Sequence, residues 1–280
     1  MANNQQTLVG VGCPFSTIGA AVDAGHFNLL VISDTTEDAT IVVSDNLKIF
    51  IEDSVNVTFT EKYAFIISGI LSSLTIRGSC TNTTDSTSGS TITLSKDCLM
   101  ISPICEDNKG FVYLTNFRLV GCGNNIITGV NTTIKNVTFC DADWFDLSSL
   151  GTKLNVWYSI FKVKVTLVCA DNDTSVIKGN VFESWVITDG ATNMTFDSNF
   201  STTQMVNAGT TKNCIFSSNR FDNLGMICNN IHDTALVGNI VGNKFEGGSI
   251  VFNKSNDVHD GINRIPREKF TGGKNIKKAR

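Results

Sequence analysis

The sequence predicts an all-β chain wound as a parallel solenoid, on three observations. First, a short phrase returns six times between Ile134 and Asn256: Ile134-Lys-Asn-Val-Thr-Phe139, Trp157-Tyr-Ser-Ile-Phe161, Ile177-Lys-Gly-Asn-Val-Phe182, Phe196-Asp-Ser-Asn-Phe200, Phe216-Ser-Ser-Asn-Arg-Phe221 and Val241-Gly-Asn-Lys-Phe245. Second, its closing phenylalanines stand 22, 21, 18, 21 and 24 residues apart, a period too short for a unit that folds alone. Third, hairpin signals are scarce, with only Asp189-Gly190 and Asp260-Gly261 of the favoured turn pairs. Phe, Val and Ile alternating with polar residues read as a strand buried on one face, and about 20 residues hold two or three such strands with no crossover helix. Rungs of this kind stack in parallel about 4.8 Å apart.

The elements follow in chain order. Ser16 or Thr17 caps a short helix that carries Ile18, Ala21 and Val22 on one face and stops at Gly25. Such a helix covers the open end of a solenoid, which otherwise exposes core and strand edges. Strand-like runs follow at Leu29–Ile32, Thr40–Val43, Leu47–Ile51, Val55–Phe59, Tyr63–Ile67 and Leu74–Ile76. Ser79–Ser90 has no apolar residue but its Cys, so it reads as a projecting loop. Strands resume at Thr91–Leu94, Cys98–Ile101, Phe111–Leu114 and Phe117–Val120 and lead into the repeated phrase.

The hydrophobic-x-x-Asn-x-Phe phrase, clearest at Ile177–Phe182, Phe216–Phe221 and Ile240–Phe245, resembles the coils of pectin-lyase-like right-handed parallel β-helices. Val9-Gly-Val-Gly-Cys-Pro-Phe-Ser-Thr-Ile-Gly-Ala-Ala-Val-Asp-Ala-Gly25 is similar to their capping segment. The resemblance covers Val9 to Asn256 and implies a right-handed β-helix of about ten coils, divided as residues 1–26 (N-terminal segment and capping helix), 27–256 (β-helix) and 257–280 (basic tail). That superfamily holds polysaccharide lyases, glycoside hydrolases, phage tailspikes and non-catalytic viral proteins, so the resemblance speaks for fold more than for function.

Composition narrows the classes. With 41% apolar and 17% charged residues the chain buries a core. Its longest apolar run, Phe65–Leu71, is too short to span a bilayer, and the polar start Met-Ala-Asn-Asn-Gln-Gln has no signal-peptide pattern. Nine cysteines form no CxxC pair, which points away from zinc and toward a reducing, intracellular compartment. The eight Asn-x-Ser/Thr sequons are what a turn-rich, Asn- and Thr-rich solenoid generates anyway. The last 20 residues hold 7 basic and 1 acidic residue, against 15 and 25 in residues 1–260, so a tail near +6 follows a body near −10. Lys274, Lys277, Lys278 and Arg280 are its candidate nucleic-acid contacts, but a solvated terminus or a tail lying on an acidic body fits as well.

Stacking makes equivalent positions neighbours. Two before the closing Phe, from the second copy on, stand Ser159, Asn180, Ser198, Asn219 and Asn243, the side chains of a hydrogen-bonded ladder. One after it stand Cys140, Lys162, Glu183, Ser201, Asp222 and Glu246. In this frame Asp222 and Glu246 are neighbours at about 5 Å, the separation of a retaining glycosidase's carboxyls, although turn carboxylates are usually just solvated. Asp141, Asp143 and Trp144, with Trp185, make a candidate carbohydrate surface, with the opposing expectation that large apolar strand residues such as Trp144, Trp157 and Trp185 belong to the core. The enzyme patterns of the superfamily are missing: no Asn-Thr-Asp, Asp-Asp, Gly-His-Gly or Arg-Ile-Lys run occurs, and Arg220 is the one arginine between Gly121 and Gly261. The expectation is therefore a non-catalytic structural or binding β-helix protein without metal or cofactor, viral and virion-associated, with a homo-oligomer, a glycan or a polyanion as partner. The rivals are a polysaccharide hydrolase or lyase using Asp222 and Glu246, and a nucleic-acid-associated protein acting through the tail.

Overall fold

A computed structural model describes the backbone of residues 6–79, 89–95, 98–103, 110–121, 126–128, 130–149, 153–169, 174–188, 190–202, 206–209, 212–221, 225–229, 234–237, 240–241, 249–253, 258–260, 270–271 and 277–278. The chain is a parallel β-solenoid with almost no helix. It divides into two compact units, Met1–Phe145 and Asp146–Arg280.

In the first unit the main ladder runs through Thr7–Val9, Asn28–Val31, Asn46–Ile51, Ser73–Arg77, Phe111–Gly121 and Asn131–Cys140, every pairing parallel. Register explains the alternation: Leu29, Ile49, Ile76, Leu114 and Ile134 form one buried file, while Lys48, Thr75 and Tyr113 face outward. A second ladder takes Thr35–Glu37, Asn56–Phe59, Thr91–Leu94 and the later half of Phe111–Gly121, and a third takes Ile41–Val43, Tyr63–Ile67 and Leu99–Pro103. Gly121 is dictated by space: at φ +134 a Cβ would stand 2.1 Å from the Leu94 carbonyl oxygen.

The capping helix is Ile18–Asp23. Thr17 is its N-cap, accepting from Ala20 N, and Gly25 closes it at φ +84, with Gly25 N donating to Val22 O (2.9 Å) and His26 N to Ala21 O (3.0 Å). Glu37, only 3% exposed, accepts from Ile18 N (2.7 Å) and Gly19 N (2.9 Å), fixing the helix to the first coil. Burial pushes the Glu37 carboxyl above its usual value, and the two backbone donors only partly offset it.

The predicted loop begins and ends on Ser79 and Ser90, where Ser79 N donates to Ser90 Oγ (2.9 Å) and Ser90 Oγ donates to the carbonyls of Ile51 and Glu52 (2.9 Å each). Residues 80–88 between them lie outside the described residues.

In the second unit the main ladder passes through seven turns: Leu154–Trp157, Ser175–Lys178, Met194–Asp197, Ile215–Ser217, Thr234–Val237, Val258–Asp260 and Lys277–Lys278. The sequence estimate of about ten coils for the chain is somewhat off, while the fold class holds. Ile160–Phe161, Val181–Phe182, Phe200–Ser201, Arg220–Phe221 and Ile240–Val241 form the second ladder. Val186–Ile187, Val206–Gly209, Gly225–Asn229, Ser249–Asn253 and Phe270–Thr271 follow Lys164–Cys169 in the third. Described strands of the basic tail thus take part in these ladders.

The register corrects the repeat frame at Phe200. Phe182 pairs with Ser201, and Ser201 with Phe221, so Phe200 is not the equivalent of the other closing phenylalanines. Phe200 pairs with Val181 and faces outward, while Ser201 is buried. The room that Ser201 leaves is filled from the neighbouring strand, since the Phe182 ring stacks on Phe196 (5.6 Å, 18°), below Phe161 (4.9 Å, 15°).

Candidate binding surfaces

Four successive turns of the second unit bend at a residue in the left-handed conformation: Tyr158 (φ +53), Gly179 (+68), Ser198 (+54) and Ser218 (+53). The next residue points inward and satisfies what the bend leaves unpaired. Ser159 N donates to Asn180 Oδ1 (2.8 Å), Asn180 N to Asn199 Oδ1 (2.9 Å) and Asn199 N to Asn219 Oδ1 (2.9 Å). The side-chain amides of Asn180, Asn199 and Asn219 donate to the carbonyls of Val156 (2.8 Å), Ile177 (2.9 Å) and Phe196 (2.8 Å). The ladder is therefore Ser159, Asn180, Asn199 and Asn219, all buried, with Asn199 in place of the expected Ser198. Asn243 lies outside the described residues.

Because an inner residue does the bonding, the outer positions of the bend are free to vary. The Tyr158 ring lies on Gly179, where a Cβ would stand 2.7 Å from its Cδ1 and Cε1, and the residue is 52% exposed. On the next two turns Lys178 Nζ stands 3.3 Å from Asp197 Oδ2. Ser217 Oγ donates to Asp197 Oδ1 (2.7 Å) and Ser198 Oγ to Oδ2 (3.0 Å). Partial burial raises the Asp197 pKa, but the bonds from Ser217, Ser198 and Lys178 and the lysine's charge outweigh it and hold the carboxyl below the usual range. Beyond the bend the Arg220 guanidinium lies 4.9 Å over the outward Phe200 ring. Sequence reasoning missed this strip because it placed Phe200 in the core. The signal was present: Asn stands one residue before Phe200 but two before Phe182 and Phe221, so aligning the asparagines exposes the slip.

The residues singled out in the sequence fall in several places. Trp144 and Trp185 are not core, being 37% and 39% exposed, because Phe145 and Val186 take the inward positions beside them. Trp144 belongs to the first unit with Asp141 and Asp143, both exposed; Asp141 has left-handed backbone (φ +55) and a loose ion pair with Arg118 at 3.9 Å. Trp185 belongs to the second unit, where its carbonyl accepts from Val165 N (2.9 Å), placing it beside Lys164 in the ladder. Trp157 is half-buried. Burial raises the carboxyl of Asp146, the last acid of the same run. Lys162 and Glu183 follow the paired residues Phe161 and Phe182 and so stand on adjacent turns.

Asp222 and Glu246 lie outside the described residues, and Phe221 pairs with Val241, so the 24-residue step to Phe245 is not the ladder step. Lys277 and Lys278 pair through their backbones with His259 and Asp260, while Lys274 and Arg280 lie outside the described residues. Among the described residues Cys98, Cys140 and Cys214 are buried thiols, and burial pushes Cys98 and Cys214 up to about 11. No His, Cys, Asp and Glu cluster suited to a metal occurs among the described residues, and no helix there is long and apolar enough to cross a membrane.

No protein-family model matches the chain, and no curated protein matches it. Among solved structures it is similar to the crystal structure of Dettilon tailspike protein, at 13% identity and a TM-score of 0.46 over 88% of this chain and 57% of that one. It is also similar to tailspike protein 3 of Bacteriophage CBA120, at 12% identity and a TM-score of 0.31 over 92% of this chain and 58% of that one. The chain thus spans less than two thirds of the length of either solved structure.

Proposed function

We propose that the protein is a non-catalytic, virion-associated β-helix protein that binds a glycan through aromatic side chains set on its coils. The observation that carries this reading is the outward placement of Trp144 and Trp185, with the carboxylates of Asp141 and Asp143 beside Trp144 and Lys164 beside Trp185. An indole held on a strand offers a flat apolar face at low entropic cost, and nearby charged groups offer hydrogen bonds to hydroxyls. The viral part rests on the resemblance of the repeated phrase and capping segment to pectin-lyase-like β-helices and on the Asn-, Ile- and Thr-rich sequence. Self-association through a lateral face fits the exposed Ile70 and Leu71 of the first unit.

Glycan-array binding that falls on Trp144→Ala or Trp185→Ala supports the reading, and unchanged binding removes those residues from it. Depolymerisation of a bound polysaccharide, abolished by Asp222→Asn or Glu246→Gln, would overturn the non-catalytic assignment. Salt-dependent DNA binding that disappears when residues 261–280 are deleted would establish the basic tail as a polyanion site.

A further inference from the structure

We propose that the second unit carries a separate binding strip for a neutral oligosaccharide, crossing four successive turns from Tyr158 through Lys178, Asp197 and Ser217 to Phe200 and Arg220. The inference rests on the glycan-binding reading and adds to it a site and a ligand class. Tyr158 is the first argument. It holds a left-handed backbone, which costs a non-glycine residue about 1–2 kcal/mol. The Cδ1–Cε1 edge of its ring stands close against Gly179, while the residue as a whole stays 52% exposed. Strain of this kind persists where neighbours enforce it, and here it holds a flat apolar platform still.

The polar groups are the second argument. Asp197 is fixed by Ser217 Oγ at 2.7 Å, Ser198 Oγ at 3.0 Å and Lys178 Nζ at 3.3 Å, so its oxygens and the lysine form a rigid array of acceptors and donors with its charge already paired. Phe200 holds the Arg220 guanidinium at 4.9 Å in the same way. Three ladder steps at about 4.8 Å give the strip a length near 14 Å, enough for a short oligosaccharide lying along the unit. The ligand class follows from charge. On the strip itself Lys178 is paired with Asp197 and Arg220 lies over Phe200, and charges already engaged beside aromatic rings suit a ligand bearing hydroxyls rather than charge.

The test is an array of neutral hexose oligosaccharides probed with the full chain, followed by calorimetric titration of the hits. Tyr158→Ala and Lys178→Ala should each weaken binding by about tenfold, and Tyr158→Phe, which keeps the ring, should stay near wild type. Gly179→Asn, which tolerates the left-handed backbone but displaces the ring by crowding its Cδ1–Cε1 edge, should behave like Tyr158→Ala. Tyr158 is exposed, so circular dichroism melts should show the variants folded. Wild-type binding that survives Tyr158→Ala and Lys178→Ala overturns the strip and leaves the glycan reading standing. Wild-type protein that binds acidic but no neutral glycans overturns the strip alone, and wild-type protein that binds no glycan of either kind overturns both. Salt-sensitive binding of single-stranded oligonucleotide that depends on Tyr158 overturns the ligand class.

Discussion

In the first unit the bends within Phe111–Gly121 and Asn131–Cys140 are made by Asn116 and Asn136, whose own backbones are left-handed (φ +62 and +57). Their half-buried side chains meet each other, Asn136 Nδ2 donating to Asn116 Oδ1 at 3.3 Å. At the corresponding corner of the second unit, between its main and second ladders, the left-handed residue and the amide are separate: Tyr158, Gly179, Ser198 and Ser218 turn the chain, and the buried Ser159, Asn180, Asn199 and Asn219 satisfy it, whereas Asn193 and Asn213 repeat the paired-asparagine arrangement at another bend. A bend needs a residue that tolerates positive φ and partners for the backbone groups it leaves bare. When one asparagine turns the chain, the corner is spoken for. When the partner moves inside, the outer residue can carry a tyrosine, and the second unit gains a surface along these four turns.

The largest expected effect tests that division of labour. Asn199→Ala strands the Asn180 N–H and the Ile177 carbonyl in the interior and should cost about 3 kcal/mol or more by chemical denaturation, whereas Asn116→Ala should cost about 1 kcal/mol. Equal losses would mean that the two corners are built alike. Next in size is the frame slip at Ser201. Ser201→Phe restores the repeat but competes with Phe196 for the same space, and should cost about 1–3 kcal/mol. Pairing it with Phe196→Ile, the residue type of the preceding turn at Ile177, should recover most of the loss.

The two units also differ in their response to pH. The asparagine ladder does not titrate, while the first unit buries Glu37 against the helix N-terminus. Burial raises the folded pKa of Glu37 above 4.5. Its contribution to stability is therefore fully present below pH 4.5 and is lost as the pH rises through the raised folded value. Glu37→Gln should flatten that slope in a stability-against-pH series, and an unchanged slope would assign it to another group. Asp197 has the opposite sign, its contribution being present at neutral pH and lost as the pH falls through its lowered pKa. Its side chain is half-buried but its lysine partner is exposed, so Asp197→Asn should shift stability by about 1 kcal/mol. In alkylation at pH 8 followed by peptide mapping, Cys98 and Cys214, with thiols pushed to about 11, should label far more slowly than the partly exposed Cys13.

Much of the fold was legible along the chain. Alternation placed most strands, the Thr17 cap and Gly25 stop defined the helix, and the Asn positions announced the ladder. Function was less legible, for one reason seen at two places. At Phe200 a single-residue slip exchanged inward and outward positions, since side chains alternate with a period of two. At Trp144 and Trp185 the same ambiguity hid two exposed indoles behind the expectation that large apolar residues are core.

The sequence by itself determined the solenoid, because a period near 20 residues with strand-like alternation cannot be buried in any unit smaller than the stack. It determined the capping helix and the chemistry of the ladder through residue type alone. Only the tertiary structure decided which face each residue occupies and which residues meet across turns, as Tyr158 does with Gly179 and Asp197 with Ser217. Those contacts join residues about 20 positions apart, and their register is set by packing of the buried phenylalanines, which no local pattern encodes.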